Sequence, residues 1–136
     1  MWNITGKPAN FSRFQPFEPA EVLYEFDGPR IFTLIDNDDE LNLVYWSDEN
    51  DQICRYVVVP TTEKILTALK KRSISVFEAL NQPRCWLCDS NQLGELTDCQ
   101  RVEFEDIWKR QSKREPLRQA EGCRIGNRKG NHFTDA

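Results

Sequence analysis

The 136-residue sequence contains a single histidine, His132, in a polar segment close to its last residue. Nucleophilic catalysis usually needs a base beside the nucleophile, and a histidine in such a segment is a poor base. The sequence also lacks the GxGxxG, Walker, G-x-S-x-G and H-E-x-x-H patterns. We therefore expect a protein that is not an enzyme and needs no cofactor. A pair of carboxylates could still serve a hydrolase, but nothing selects a pair among the 22 acidic residues.

Long apolar runs are also missing. No stretch approaches the roughly 20 apolar residues of a membrane-spanning helix, and residues 1–14 lack the apolar run of a signal peptide. We therefore expect a cytoplasmic protein that does not contact membranes. The five cysteines are an odd number, which rules out a complete set of disulfides, so we expect reduced structural thiols.

Charged residues are distributed unevenly along the chain. Residues 1–108 carry 19 acidic and 10 basic side chains, a net charge of −9, whereas residues 109–136 carry 3 acidic and 8 basic ones, a net charge of +5. The length indicates one domain over residues 1–136. Within it we distinguish a Pro- and Phe-rich arm (1–20), a body (21–108) and a basic tail (109–136).

The arm carries three phenylalanines at intervals of three residues, Phe11, Phe14 and Phe17, among prolines. In an extended, polyproline-like segment this spacing puts the three rings on one side. Two interpretations are open. The rings either cover the protein's own core, which we favour, or dock on a partner protein.

The body begins with β-branched and aromatic runs separated by turn residues, which predicts strands over 21–26, 30–35, 41–47 and 52–59. Residues 84–89 and about 95–104 predict a further hairpin. After Pro60 the apolar period changes to that of a helix, and Ser75 with Glu78 fits the capping box of a second short helix. The expected fold is α+β: a four-stranded antiparallel meander plus a hairpin, with two short helices packed on one face.

In a sheet with one solvated face, strand alternation assigns side chains to the core or to solvent. In the first strand, Val22, Tyr24 and Phe26 share a face opposite the glutamates Glu21 and Glu25. In the third strand, Leu41, Leu43 and Tyr45 are assigned to the core, and Asn42, Val44 and Trp46 to the opposite face. Trp46 is therefore our most specific candidate for an exposed contact with a partner.

Cys85 and Cys88 form a C-x-x-C pair, which suggests a zinc half-site or a redox dithiol. The pair lies in a strand-like run, where residues three apart point to opposite faces, so the thiols should not converge on one metal. The acidic turns 36–39 and 48–51 offer oxygen ligands for calcium, but they fall at opposite ends of the third strand. We expect solvated hairpin turns and no metal site.

The basic tail is the best candidate for contact with nucleic acid, through Lys109, Arg110, Lys113, Arg114 and Arg118. On a helix, Lys109 and Lys113, like Arg110 and Arg114, stand four residues apart and form one basic face. A solvated helix face, or a tail folded back on the acidic body, accounts for the same charges, and we prefer these interpretations to nucleic-acid binding.

The runs Tyr24-Glu25-Phe26-Asp27-Gly28-Pro29 and Val57-Val58-Val59-Pro60, followed by Ile74-Ser75-Val76-Phe77-Glu78-Ala79-Leu80, carry a resemblance. Residues 22–90 resemble a family of short bacterial, often cyanobacterial, domains of unknown function with a DGP hairpin and an I-S-x-x-x-A-L helix. The resemblance implies an α+β body and a bacterial cytoplasmic setting, and it brings no activity.

The sequence thus predicts a non-catalytic protein-interaction module. Its partner would be another protein or a second copy of the chain in a homodimer, bound near the candidate contact residues Phe11, Phe14, Phe17 and Trp46. The alternative is a nucleic-acid-associated accessory protein that uses the basic tail, and a third possibility is an enzyme of unrecognised type.

Overall fold

The computed structural model describes residues 6–111, with side chains described for residues 6–107. The strands of this part are β1 (Lys7–Pro8), β2 (Glu21–Glu25), β3 (Pro29–Ile35), β4 (Leu41–Glu49), β5 (Cys54–Pro60), β6 (Cys85–Ser90) and β7 (Leu96–Val102). The helices are α1 (Glu63–Lys70), α2 (Val76–Leu80) and α3 (Phe104–Gln111), and a 3₁₀ turn spans Phe11–Phe14. The α+β prediction is confirmed, with the sheet as the larger component.

The strands form one seven-stranded antiparallel sheet in the order β1-β7-β6-β5-β4-β3-β2. The expected four-stranded meander with a separate hairpin is therefore wrong. Helices α1 and α2 bring the chain back beside β5, and β6 therefore pairs with β5, where Val57 lies opposite Leu87. Strand β7 then pairs with β6 and continues the meander. The arm then adds β1 to the far edge, where Lys7 lies opposite Arg101.

Local sequence signals set the helix starts. The Thr62 hydroxyl accepts a hydrogen bond from the backbone N–H of Ile65 at 3.1 Å and begins α1. The predicted capping box of α2 is confirmed, since the Ser75 hydroxyl and the Glu78 carboxylate each bind the other residue's backbone N–H. No helix within residues 6–111 is long and apolar enough to cross a membrane.

One face of the sheet packs against the helices. Leu43 and Val57 at its centre are fully buried, and Leu66 and Leu69 of α1 lie over them. The Phe77 and Phe104 rings, 5.4 Å apart, join α2 to α3. This helix-side core contains Leu23, Ile31, Leu43, Val57, Val59, Leu66, Leu69, Val76, Ala79, Leu80, Cys85, Leu87, Val102, Phe104 and Ile107.

The other face is also buried, which corrects the expectation of one solvated face. Asn42 and Val44, assigned to solvent from the sequence, have no exposed surface. The reason is the arm, which crosses this face between β1 and β2 and places Phe14 in contact with it. The arm-side core contains Phe14, Phe32, Leu34, Val44, Val58, Trp86, Cys88, Leu96 and Cys99, with Ala9, Phe11, Phe17 and Tyr56 at its margin.

The arm is not polyproline-like throughout, because Phe11–Phe14 is a 3₁₀ turn begun by Asn10, whose side chain accepts from the N–H of Ser12. A 3₁₀ helix repeats every three residues, so the spacing of Phe11 and Phe14 still puts both rings on one side. Phe14 is 1% exposed, and its ring meets that of Trp86 edge to face at a centroid distance of 5.3 Å.

We expect Phe14→Ala to lower the free energy of unfolding by about 3–5 kcal/mol, because it removes a fully buried ring from the arm-side core. Urea denaturation followed by circular dichroism measures the change. Phe11→Ala is the matched control at a half-buried position three residues away and should cost about 1 kcal/mol. Equal losses in the two variants would contradict the role of Phe14 as the anchor of the arm.

Candidate functional site

The three phenylalanines of the arm lie against the protein's own sheet, as the favoured interpretation expects. Phe14 is buried, whereas Phe11 and Phe17 are half-buried. The Phe17 ring lies 5.0 Å from Tyr56 and 5.9 Å from Phe32, both at T-shaped angles. Their surface is thus largely used within the molecule, and their contact with a partner stays a prediction.

Trp46 lies on β4, on the face opposite Leu43, as its alternation predicts. It is half-buried rather than largely exposed, because the guanidinium carbon of Arg30 lies 3.7 Å from the centre of its ring. Its indole N–H donates to the backbone oxygen of Asp48 at 3.2 Å. The ring is therefore held in place with one face covered by a cation.

Arg30 connects Trp46 to Phe26, and we call these three residues the corner patch. The Arg30 Nε donates to the Phe26 backbone oxygen at 2.8 Å, and the guanidinium carbon lies 5.8 Å from the Phe26 ring. Phe26 is 54% exposed. Gly28, with φ 105°, makes the turn beneath, where a Cβ would stand 3.5 Å from the Trp46 ring. The patch presents two aromatic rings and a positive charge at the end of the β2–β3 hairpin.

Strand β2 differs from its prediction. Val22, Tyr24 and Phe26 were expected to share one face, but Val22 is 41% exposed and Leu23 is the buried residue. The ladder shifts between Val22, opposite Phe32, and Tyr24, opposite Ile31, so alternation breaks and Leu23 and Tyr24 both reach the helix-side core. In the sequence, the signal for this bulge was the run of consecutive apolar residues Val22-Leu23-Tyr24, because strict alternation cannot bury all three. The bulge leaves Val22 exposed on an edge strand.

The acidic turn between β3 and β4 is not simply solvated, which corrects the expectation for residues 36–39. Asp36 is buried, and its Oδ2 accepts from the Arg13 Nε at 3.0 Å. Arg13 also pairs with Glu40, whose other oxygen accepts from Arg84 at 3.2 Å. These contacts clamp the arm onto the β3–β4 turn.

Asp36 is held as a carboxylate. Burial alone would raise its pKa, but hydrogen bonds from the Glu40 and Asp38 backbone N–H groups, the Asn42 amide and Arg13 outweigh it. The pKa of Asp36 is therefore lowered from its ordinary value of 3.8. Of these donors only Arg13 belongs to the arm, and the others lie in the β3–β4 turn and on β4.

The C-x-x-C cysteines point to opposite faces, as strand geometry predicts: Cys85 lies in the helix-side core and Cys88 in the arm-side core. The Cys88 thiol donates to the Cys99 sulfur across the β6–β7 pair at 3.3 Å. Burial raises the pKa of Cys85 to about 12, and burial with the Cys99 contact raises that of Cys88. In the described part of the chain, no three His, Cys, Asp or Glu side chains are grouped to hold a metal.

The tail candidates lie at or beyond the limit of the description. Lys109 and Arg110 belong to the backbone of α3, but their side chains are outside the described set. Lys113, Arg114 and Arg118 lie outside the described residues altogether. Nucleic-acid binding by the tail therefore stays a prediction.

Comparison of the chain with protein-family models, with curated proteins and with solved structures finds no match. The resemblance to short bacterial domains stays a prediction as well. The candidate site is accordingly defined by geometry: the corner patch together with the adjoining edge strand β2.

We expect the stability of the protein to fall on acidification as Asp36 is protonated. Its folded pKa lies below the unfolded value, so its contribution is complete above about pH 5 and is lost as the pH falls through the folded pKa. Asp36→Asn should lower the free energy of unfolding at neutral pH by about 2 kcal/mol. It should also flatten the acid dependence, as measured by urea denaturation from neutral to acidic pH.

Asp39→Asn is the control, because Asp39 is an exposed turn residue with φ 61°, a conformation that asparagine adopts readily. It should change neither the stability nor its pH dependence. An Asp36→Asn protein with the wild-type acid dependence would show that Asp36 does not carry it.

We expect Cys85, Cys88 and Cys99 to react with iodoacetamide at pH 8 at least about a hundredfold more slowly in the folded protein than in urea, because all three are buried and thiolate is the reactive form. Peptide mapping by mass spectrometry gives the rate at each cysteine. The half-buried Cys54 serves as the internal comparison and should react faster than the buried three. Labelling of Cys88 at the unfolded rate would mean that the arm does not protect it.

Proposed function

We propose that this protein is a non-catalytic interaction module that binds an extended segment of a partner protein along β2, beside the corner patch. The observation that carries the proposal is that β2 ends the sheet and pairs only with β3 among the described strands. A terminal strand offers unpaired backbone donors and acceptors, which an added strand can satisfy.

The two edges of the sheet differ in what they offer. At the other edge the terminal strand β1 has only two residues, and one of them, Pro8, has no backbone N–H to donate. Strand β2 contains five residues and no proline, and it carries the exposed Val22. Such a strand can give main-chain hydrogen bonds for affinity and a side-chain contact for specificity.

The corner patch supplies what protein interfaces use most. Phe26 and Trp46 offer aromatic area, and Arg30 lies between their rings, already ordered by its bond to the Phe26 carbonyl. Aromatic residues and arginine are enriched among the residues that dominate interface energies. Aromatic rings bury a large area with little loss of side-chain freedom, and Arg30 is already ordered before a partner binds. A partner segment on β2 would run towards this patch.

The buried polar groups support a non-catalytic role. Asp89 forms a two-point bond with Arg55 at 2.7 and 2.9 Å, and Asp36 is bound by Arg13. The buried thiols of Cys85 and Cys88 have raised pKa values and are poor nucleophiles. The strongest polar contacts of the described residues hold the fold together.

Selection of short extended peptides from a random display library tests the proposal. We expect binders whose addition slows amide hydrogen exchange at residues 21–25, because new strand hydrogen bonds form there. Trp46→Ala and Phe26→Ser should each weaken binding about tenfold or more while costing no more than about 2 kcal/mol of stability.

Leu93→Ser is the matched control, because Leu93 is 82% exposed in the β6–β7 turn, away from β2. It should leave binding unchanged. Binders that protect other strands and ignore the Trp46→Ala and Phe26→Ser substitutions would overturn the assignment of β2. An unfolded Trp46→Ala protein would show that this ring is a core residue, and Phe26→Ser would then carry the test.

A further inference from the structure

We infer that the segment bound by β2 is basic and that it comes from a different protein. This inference rests on the proposed function and adds the chemistry of the partner. The inference is based on the negative charge of the edge strand, which favours a basic segment and disfavours a second copy of the chain.

The edge of β2 is acidic. Glu21, Glu25 and Asp27 are all exposed within this strand and the turn that follows it. Glu21 bonds to Lys70 of α1 at 2.8 Å, whereas Glu25 and Asp27 have no ion-pair partner among the described side chains. Two uncompensated carboxylates beside an unpaired strand would attract basic side chains from an added one.

The two glutamates lie at the two ends of β2. Glu21 lies opposite Thr33, and Thr33 in turn lies opposite Leu43 of the helix-side core, so Glu21 stands on the helix side of the sheet. Glu25 lies opposite Pro29, beyond the two register shifts that break the alternation of β2. A basic strand added along β2 would meet a carboxylate at each end.

A second copy of the chain fits this edge poorly. In an antiparallel pair of β2 strands centred on Leu23, the end that carries Glu21 in each copy lies beside the end that carries Glu25 in the other. Like charges close together across a strand pair destabilise it, and this arrangement contains two such pairs. The glutamates thus oppose self-association, a common protection of edge strands.

The basic tail of the same chain is also a poor occupant. Residues 112–136 include Pro116, Gly122, Gly126 and Gly130, and their apolar residues do not alternate with polar ones. Proline cannot donate a ladder hydrogen bond, and glycine weakens a strand. The charge of the tail suits the edge, but its composition does not suit a strand.

Charge reversal tests the inference on the full-length protein. We expect the wild type to be monomeric, and Glu25→Lys to self-associate about tenfold or more tightly, because Glu21 of each copy then lies near the new lysine of the other. The double variant Glu21→Lys, Glu25→Lys restores like charges and should be monomeric. Sedimentation equilibrium measures all three. A wild type that dimerises through β2 would overturn the inference in favour of a second copy.

Peptide binding tests the partner directly. The probes are two synthetic peptides that alternate valine with either lysine or glutamate, titrated by fluorescence anisotropy. The wild type should bind the lysine peptide about tenfold or more tightly than the glutamate peptide, and the double variant should reverse this preference. Amide hydrogen exchange at residues 21–25 shows whether the peptide lies on β2.

Each result separates the inference from the proposed function. Equal binding of both peptides, with protection of residues 21–25, would overturn the basic partner and leave strand addition standing. Absence of protection by either peptide would overturn strand addition itself. If neutralising Lys113, Arg114 and Arg118 to glutamine in the full chain speeds amide hydrogen exchange at residues 21–25 in the absence of any peptide, the tail is the natural occupant and a separate partner is excluded.

Discussion

The apolar character of both faces of the sheet is the constraint on which the rest of this structure depends. Val57 and Val58 are adjacent on β5 and point to opposite faces, yet both are fully buried. Two covering layers are therefore needed, and one meander with short helices supplies only one of them. The arm is the second layer. Its backbone bonds to β7 through Ala9 and its Arg13 pairs with the β3–β4 turn, so a short, proline-containing segment can cover the centre of this face.

This burial decides the chemistry of the polar groups inside. Asp36 is ionised because Arg13 and nearby N–H donors outweigh the cost of its desolvation. Arg55 and Asp89 meet in a two-point bond between β5 and β6, where either charge alone would be costly. Burial raises the pKa of Cys85 and of Cys88, so these two are neutral thiols. The interior thus contains charges that hold strands and layers together, and thiols that behave as small apolar groups.

The sheet is covered on its faces but not equally at its edges. The arm reaches β7 as β1 and caps that edge, while β2 at the other end pairs only with β3 among the described strands. A bulge and two glutamates are familiar ways of keeping an edge strand from pairing with itself. Beside them stand the exposed Val22 and the corner patch, features that favour contact with another protein. The β2 edge therefore disfavours pairing with a second copy of the chain, and it offers a surface suited to a different protein.

Sequence by itself determined the local features. Strand runs, turns and the capping box depend on neighbouring residues, so β3, β4 and the start of α2 could be predicted closely, as could the opposite directions of Cys85 and Cys88. The pairing of β5 with β6, the covering of the second face and the bulge in β2 were decided only by tertiary structure. These depend on contacts between distant segments, such as Phe14 with Trp86, and alternation along a strand does not reveal whether its second face meets water or an arm. The exposure of Val22 could not be predicted for the same reason, because the bulge in β2 arises from its register with β3.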